Sequence, residues 1–166
     1  MLNDLIQALG SFVVALKLSN AIEPYSPHLS ASTRLTYAIY IVEAARLTRL
    51  DPYLIAAVMW HESDFRNLPR NSTDDYGLMQ VHWQKMPVSW LAGLTRKDLM
   101  DPWTNILTGA RELVYTRRLC QVVDGPRPGH EWWGHYKYGV VVRGKKYGQT
   151  ILWRYRMLRQ PRQPSS

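Results

Sequence analysis

The sequence predicts a mainly α-helical domain with at most a short β-hairpin. Two Asp-Pro pairs, Asp51-Pro52 and Asp101-Pro102, each precede a stretch in which apolar residues recur at helical spacing. Between these stretches, residues 67–90 are rich in Asn, Asp, Pro and Gly and have little periodicity, which is typical of a loop. A chain of 166 residues that is 46% hydrophobic and 20% charged suits one globular domain and excludes disorder throughout.

The N-terminal segment, residues 1–31, has two interpretations. Residues 5–18 are moderately apolar and precede Ser19-Asn20-Ala21, whose small residues fit a signal-peptidase site, although no basic residue precedes Leu5. The alternative is an N-terminal helix, whose apolar residues at helical spacing are Leu5, Ile6, Leu9, Val13 and Leu16. Residues 23–32 contain two prolines and three serines and are predicted to form an extended connector to the main domain.

Four helices are predicted in the main part of the chain, over residues 33–48, 51–65, 101–118 and 150–158. The first is predicted to face the core with Leu35, Ile39, Val42 and Ala45. The second begins where Asp51 can accept from free backbone N–H groups and Pro52 loses nothing by lacking one. The third ends at Arg117-Arg118, whose cations favour the helix dipole. A short hairpin is predicted near residues 77–82.

The positive charge is concentrated at the C-terminus. The formal net charge is +8, residues 1–131 balance 13 basic against 13 acidic side chains, and residues 132–166 contain eight basic residues and no acid. Such a segment attracts polyanions, which include nucleic acid, anionic lipid and acidic polymers of a bacterial envelope. The alternative is a solvated face followed by a basic polar tail at residues 161–166.

Neither a metal nor a cofactor is expected. The histidines His61, His82, His130 and His135 lack metal-ligand spacing, and the chain has no Gly-rich phosphate loop. The single cysteine, Cys120, can form no internal disulfide.

Glu62 is the sharpest chemical signal in the sequence. The apolar stripe Ile55, Val58 and Met59 leads at helical spacing to Glu62, which places a carboxyl group on the buried line of the second helix. A desolvated carboxyl group resists ionisation and can act as a general acid near neutral pH. The alternative from periodicity alone is a solvated carboxylate at the helix end.

Several short motifs follow one another in a recognisable order. They are Glu62-Ser63, then Gly77-Leu78-Met79-Gln80, then Asp101-Pro102 with Asn105-Ile106 and Gly109-Ala110, then Tyr136 before Gly139. In order and spacing, residues 32–160 resemble the soluble lytic transglycosylase family and are also similar to goose-type lysozymes. The resemblance implies an α+β lysozyme-like fold, peptidoglycan as substrate, and a catalytic domain over residues 32–160.

The resemblance also implies roles for individual residues. Glu62 corresponds to the catalytic acid and base, and Ser63 to a serine that contacts the substrate. Residues 77–80 correspond to a turn that forms the cleft wall, where Gly77 permits an unusual backbone angle or a close approach. Within that turn, next to Leu78, Met79 and Gln80 would face the sugar.

The last motif is the one that departs most from the family. Tyr136 resembles the tyrosine that hydrogen-bonds the catalytic carboxyl group. However, His135-Tyr136-Lys137-Tyr138-Gly139 replaces the usual Ala-Tyr-Asn-x-Gly, with His in place of the small residue and Lys in place of Asn.

The mechanism implied by the family needs one carboxyl group. Glu62 would protonate the bond oxygen between N-acetylmuramic acid and N-acetylglucosamine, and the sugar's own 6-hydroxyl would then close a 1,6-anhydro ring. The first alternative is a lysozyme-type hydrolase, in which Asp64, Asp74 or Asp75 would supply a second carboxylate. The second is a non-catalytic basic module that binds an envelope polymer or nucleic acid.

The family resemblance also sets the expected location and partners. The enzyme is expected to act on glycan strands in the cell envelope, in the periplasm or outside the cell, or to be delivered by a phage. Its small size fits a role in a secretion, conjugation or phage assembly. The basic C-terminal segment is expected to contact anionic envelope polymers, and no specific nucleic acid partner is expected.

Overall fold

The computed structural model describes residues 1–84, 91–123, 132–136 and 145–160. These ranges contain five α-helices: α1 (Leu2–Ile22), α2 (Ala31–Thr48), α3 (Pro52–Ser63), α4 (Pro102–Val123) and α5 (Lys145–Arg159). They also contain two short antiparallel strands, β1 (Asp75–Tyr76) and β2 (Val81–His82), which pair Asp75 with His82 and Tyr76 with Val81. The prediction of a mainly α-helical fold with one short hairpin is therefore confirmed.

Helix α3 lies at the centre of the fold, between α2 and α5. Its residues 54–60 are all buried, as expected for a helix that is apolar on every side. The predicted cap is confirmed, because Asp51 Oδ1 accepts from the backbone N–H of Tyr53 at 2.9 Å. The helix ends at Ser63 and not at residue 65, since Asp64 and Phe65 adopt positive φ angles of 50° and 61°. This sharp end places Glu62 at the edge of the core.

Helix α2 is two residues longer at its start than predicted. Ser30 caps it by accepting from the backbone N–H of Thr33 at 3.1 Å. Its buried residues are Tyr37, Ala38, Ile41, Val42, Ala44 and Ala45. The predicted core stripe was therefore wrong at Ile39, which is 40% exposed and lines a space between α1 and α2.

Helix α1 is one continuous helix that runs through Ser19-Asn20-Ala21. Its last two turns pack on the body and bury Ala15, Leu18, Ser19 and Ile22. The predicted helix is confirmed, but its predicted apolar face (Leu5, Ile6, Leu9, Val13 and Leu16) is exposed and does not join the core. With a mean hydropathy of 1.5, the segment Leu2–Tyr25 is long and apolar enough to cross a membrane, and an N-terminal signal sequence has the same properties. The connector is not extended at its start, because Glu23–Tyr25 forms a 3₁₀ turn.

Helix α4 continues past its predicted end. Asp101 Oδ1 accepts from the N–H of Thr104 at 2.8 Å, which confirms the predicted start. Arg117 and Arg118 lie inside the helix, which extends to Val123. The two cations therefore lie more than a turn from the helix end, outside the range in which they would favour its dipole.

Helix α5 begins at Lys145, a turn earlier than predicted, and two of its arginines bind α3. Arg154 Nη1 donates to the carbonyl of Trp60 at 2.9 Å, and its guanidinium lies 4.4 Å from the centre of the Trp60 ring. Arg159 Nη1 lies 3.3 Å from Asp51 Oδ2. These two cations therefore connect α5 to α3, and the predicted contact of the basic segment with anionic polymers stays a prediction. The predicted tail at residues 161–166 lies outside the described residues.

Candidate active site

Glu62 is the second-to-last residue of α3, and a tyrosine of α5 binds its carboxyl group. The Tyr147 hydroxyl donates to Glu62 Oε1 at 2.5 Å, from a side chain that is 5% exposed. The ring of His61 meets the Tyr147 ring edge-on, with centroids 4.8 Å apart and an interplanar angle of 87°. Tyr147 is therefore held in place and in turn orients the Glu62 carboxyl group.

The predicted bond between Tyr136 and Glu62 is corrected by the structure. The Tyr136 hydroxyl donates instead to the backbone carbonyl of Met79 at 2.9 Å, in a buried position. Tyr147 fills the role that the prediction gave to Tyr136. Tyr138, Lys137 and Gly139 lie outside the described residues.

Sequence reasoning missed Tyr147 because it placed the start of the last helix at residue 150. With the helix starting at Lys145, the buried residues Tyr147, Ile151 and Leu158 are spaced four and seven residues apart and share one face. Extending the apolar stripe back by one turn would have identified Tyr147 as a core-facing tyrosine.

The wall loop, residues 77–80, connects β1 to β2 beside α4. Gly77 has a φ of +74°, and a Cβ there would overlap the side chain of Asn105 and lie 2.7 Å from the carbonyl of Leu99. Both features predicted for Gly77, the unusual backbone angle and the close approach, are confirmed.

Asn105 of α4 holds the wall loop through three buried hydrogen bonds. Its Nδ2 donates to the carbonyls of Tyr76 and Leu99, both at 2.8 Å, and its Oδ1 accepts from the N–H of Met79 at 2.7 Å. The sequence motif contained Asn105 without indicating this role. One side chain thus satisfies three backbone groups that would otherwise be buried without partners.

The side chains of the wall loop face in different directions. Leu78 and Met79 are fully buried, so the prediction that Met79 faces the sugar was wrong. A Cβ at Gly109 would lie 2.7 Å from Met79 Cβ, which explains the glycine at this point of α4. Gln80 is partly exposed, and its Nε2 donates to the carbonyl of Gly77 at 2.8 Å. A substrate contact of Gln80 stays a prediction.

Ser63 connects the end of α3 to the wall loop. Its hydroxyl lies 2.7 Å from the carbonyl of Leu78 and 3.1 Å from that of Met59, and the residue is 5% exposed. The hydroxyl thus fixes the loop next to Glu62, and its predicted substrate contact stays a prediction.

A second carboxyl group, on Glu112, lies near Glu62. Burial raises the pKa of Glu112 to about 8, with further contributions from the negative charges of Glu62 and Asp75. The group is therefore neutral at pH 7. Sequence reasoning missed it, although Asn105, Gly109, Glu112 and Thr116 follow one another at helical spacing on α4.

Three aspartates were considered as a second catalytic carboxylate, and each of them lies beside another side chain that it can bind. Asp64 is exposed and lies 3.6 Å from Arg154. Asp74 accepts from Arg96 at 2.8 Å and from the Tyr76 hydroxyl at 2.7 Å, and these bonds lower its pKa to about 2. Asp75 accepts from Asn71 at 2.8 Å and lies 2.9 Å from His82 Nδ1. Within the described ranges, no three His, Cys, Asp or Glu side chains are grouped to hold a metal ion.

The domain is mainly helical. A carboxyl group lies at the end of one helix, beside a hairpin loop that a second helix holds. These features define the lysozyme-like class of glycan-cleaving folds. The transglycosylase SLT domain family matches residues 39–124, just over half of the chain, and the chain belongs to this family. It is a peptidoglycan-cleaving enzyme of the lytic transglycosylase kind, and enzymes of this family act in the cell envelope. No solved structure matches the chain.

The family match includes Glu62, the wall loop and Asn105 and ends before Tyr136 and Tyr147. The contact that orients Glu62 therefore comes from a part of the chain beyond the matched residues. The similarity to goose-type lysozymes stays a prediction.

Proposed function

We propose that the enzyme cleaves the β-1,4 bond between N-acetylmuramic acid and N-acetylglucosamine with Glu62 as its catalytic acid and base, and releases a 1,6-anhydro product. The observation that carries this proposal is the Glu62 carboxyl group at the end of α3, bound by Tyr147 at 2.5 Å. The wall loop next to it is fixed through Ser63 and Asn105. A preorganised carboxyl group is what single-residue acid and base catalysis requires.

In the proposed reaction Glu62 first donates a proton and later accepts one. In the form of the enzyme in which Glu62 is protonated, this group gives its proton to the glycosidic oxygen, and the bond from that oxygen to the muramic C1 breaks. The N-acetyl group of the muramic sugar stabilises the positive charge that develops at C1. The Glu62 carboxylate then takes the proton of the 6-hydroxyl while O6 bonds to C1. No water is consumed, and Glu62 regains its protonated form.

The second carboxyl group favours this route over hydrolysis at neutral pH. A hydrolase of the two-carboxylate kind needs its second group ionised, as a base or a nucleophile. Burial raises the pKa of Glu112 to about 8, so at pH 7 this carboxyl group is a poorer ionised base than an exposed carboxylate. Asp74 and Asp75 are ionised but bind their neighbours in the loop. Hydrolysis remains the second candidate above pH 8, where Glu112 loses its proton.

Mass spectrometry of digested muropeptides tests the proposed product. At pH 6.5 we expect products with anhydro ends, each one water lighter than the corresponding reducing product. A digest by a hydrolytic muramidase serves as the reference for reducing ends. Reducing ends alone at pH 6.5 would contradict the proposal, and their appearance only above pH 8 would identify Glu112 as the base that activates water.

Replacing Tyr147 by Phe tests how Glu62 is oriented. The ring packing against His61 is kept and only the hydroxyl is lost. Because a hydrogen bond to a charged group contributes about 1.5–3 kcal/mol, we expect the rate of peptidoglycan cleavage to fall by about ten- to a hundredfold. The measurement is the initial rate on purified sacculi, together with the melting temperature.

The matched control for this test is Tyr136→Phe. It removes the bond to Met79 and leaves a buried carbonyl without that donor, which costs about 1–3 kcal/mol of stability. We expect it to lower the melting temperature more than Tyr147→Phe does and the rate less. The reverse ranking of the two rates would restore Tyr136 as the residue that orients Glu62.

We propose that the catalytic domain spans residues 32–160 and therefore includes α5. Besides the contact of Tyr147 with Glu62, the Tyr155 hydroxyl donates to Asp51 Oδ2 at 2.7 Å, at the start of α3. Helix α5 thus contacts both ends of α3. A fragment that ends at residue 124 would lack the group that orients the catalytic carboxyl.

A further inference from the structure

Most of the apolar side chains of α1 are exposed, whereas a helix of a soluble domain usually buries them. Mostly small and polar residues of α1 line the space between it and α2; they are Asp4, Gln7, Ala8, Ser11 and Ala15, together with the aromatic Phe12. The outward side carries the outer stripe, defined as Leu2, Leu5, Ile6, Leu9, Val13 and Leu16, each at least 40% exposed. Apart from the adjacent pair Leu5-Ile6, these six residues recur at spacings of three and four and form one apolar strip. An exposed strip of this kind indicates an apolar partner.

A second unusual surface lies at the carboxyl end of α2. A groove of about 620 Å³ between this end and α4 is lined by Arg49, Arg111, Arg117 and Arg118, together with Tyr115, which is 46% exposed. We call it the arginine groove. No carboxylate is among the described residues that line it.

The charges of the arginine groove are not neutralised within the described part of the chain. None of its four guanidinium groups forms an ion pair there, whereas Arg34, Arg46, Arg70, Arg96, Arg154 and Arg159 each do. Four like charges around one concave surface repel one another and attract an anion. The planar guanidinium group matches the geometry of a phosphate.

The outer stripe and the arginine groove lie at the same end of α2. Asp4 and Gln7 of α1 line the same space as Arg46 of α2, which is one turn before Arg49. The first turns of α1 therefore lie at the end of α2 that carries the arginine groove, with Asp4 and Gln7 on the side toward α2 and the outer stripe on the side away from it. Apolar side chains next to arginines are typical of a surface that binds an anionic bilayer, because acyl chains and phosphate headgroups are also adjacent.

We propose that this end of the enzyme binds the surface of an anionic lipid bilayer. The outer stripe enters the boundary of the acyl chains, and the arginine groove holds lipid phosphates. At 1.5 Å per residue the stripe is about 21 Å long, which is shorter than a hydrocarbon core of about 30 Å. Because the outer stripe covers one side of α1 and the last two turns pack on α2, the proposal places α1 along the bilayer surface.

The proposed orientation leaves the catalytic side accessible. On α4, Asn105 and Gly109 contact the wall loop, while Arg111 and Arg118 occupy the opposite side of the same helix. An enzyme bound through the arginine groove therefore keeps Glu62 directed away from the lipid, toward a glycan layer beside the membrane.

The test is sedimentation of the full chain with lipid vesicles. Vesicles contain either phosphatidylcholine alone or phosphatidylcholine and phosphatidylglycerol in equal parts. We expect at least about tenfold stronger binding to the vesicles with phosphatidylglycerol, and weaker binding as salt is raised. Equal binding to both kinds of vesicle, or binding to neither, would overturn the proposal.

Two variants separate the contributions of the two surfaces. Changing the four groove arginines to Gln should remove the preference for phosphatidylglycerol, and changing Leu5, Leu9 and Val13 to Gln should weaken binding to both vesicles by about tenfold or more. Because all these side chains except Arg117 are exposed, the melting temperature should change little. Wild-type binding by either variant would overturn the proposal.

A matched control removes the same charge from exposed positions elsewhere, by changing Arg66, Lys97, Lys146 and Arg156 to Gln. It should bind both kinds of vesicle nearly as the wild type does. If the control and the groove variant lose vesicle binding equally, the effect depends on net charge alone. That result would overturn the assignment to the groove. Dimerisation through α1 without vesicle binding, measured by gel filtration, would also overturn it.

Discussion

Replacing Glu62 by Gln is expected to lower cleavage of purified peptidoglycan by about a hundredfold to ten-thousandfold, the usual loss when a general acid and base is removed. The amide has nearly the shape of the acid, and its oxygen can still accept from Tyr147, so the side chain keeps its position. What it loses is the ability to give a proton to the glycosidic oxygen and to take one from the 6-hydroxyl. The measurements are the rate of release of soluble muropeptides and the melting temperature.

Asp64→Asn is the matched control for Glu62→Gln. Asp64 is two residues further along, and its exposed carboxylate lies 3.6 Å from Arg154. We expect its loss to change the rate by no more than a few fold, because a surface ion pair contributes about 1 kcal/mol or less. A folded Glu62→Gln variant with near wild-type activity would remove Glu62 from the mechanism, whatever the control does.

Replacing Glu112 by Gln is expected to make the protein more stable at pH 8 and to leave its stability nearly unchanged at pH 4.5. The pKa of Glu112 is raised from its ordinary value of 4.5 to about 8 by burial and by the charges of Glu62 and Asp75. Between these two pH values the unfolded chain has released this proton while the folded chain retains it. The free energy of unfolding therefore falls as pH rises, by about 1.4 kcal/mol per pH unit for one proton.

The Gln side chain removes this pH dependence, because it resembles the neutral acid and does not ionise. The gain at pH 8 is on the order of a few kcal/mol. Urea unfolding of both proteins at pH 5, 6.5 and 8 measures it. Parallel curves for wild type and variant across this range would show that Glu112 ionises normally.

Two further variants check the cause of the Glu112 effect. In a Glu62→Gln background the pKa of Glu112 should fall toward its ordinary value, since one of the charges that raise it is gone. Glu43→Gln is the control of opposite sign, because the hydrogen bond from Arg46 lowers the pKa of Glu43. Its effect should be about 1 kcal/mol or less, since the pair is exposed.

Short-range features of this protein were predictable from the sequence because they depend on residues a few positions apart. The cap by Asp51 and the helix start at Asp101 are of this kind, since each side chain bonds a backbone group two or three residues ahead. The positive φ of Gly77 also follows from local chemistry, because glycine adopts it without strain. The position of Glu62 at the end of an apolar helical stripe follows from the 3.6-residue period alone.

Which side of a helix faces the core was harder to predict, as α1 and α2 illustrate. A helix was predicted for α2 and was one of two interpretations of α1, and both segments are helical. Periodicity identified an apolar strip on α1, but only packing decided that Ala15 and Leu18 face the body while Leu5 and Leu9 face outward. A strip of apolar residues does not by itself specify which side of a helix packs on the body, and the tertiary structure decides it.

The sequence by itself determined the fold class, the helix starts at Asp51 and Asp101, the hairpin and the candidate acid at Glu62. Only the tertiary structure decided that Tyr147, 85 residues away, donates to that acid. It also decided that Arg154 pairs with α3 while the arginines of the groove have no ion pair among the described residues. The physical reason is that hydrogen bonds, desolvation and ion pairs depend on distance in space, and helix packing brings together side chains that no sequence period relates.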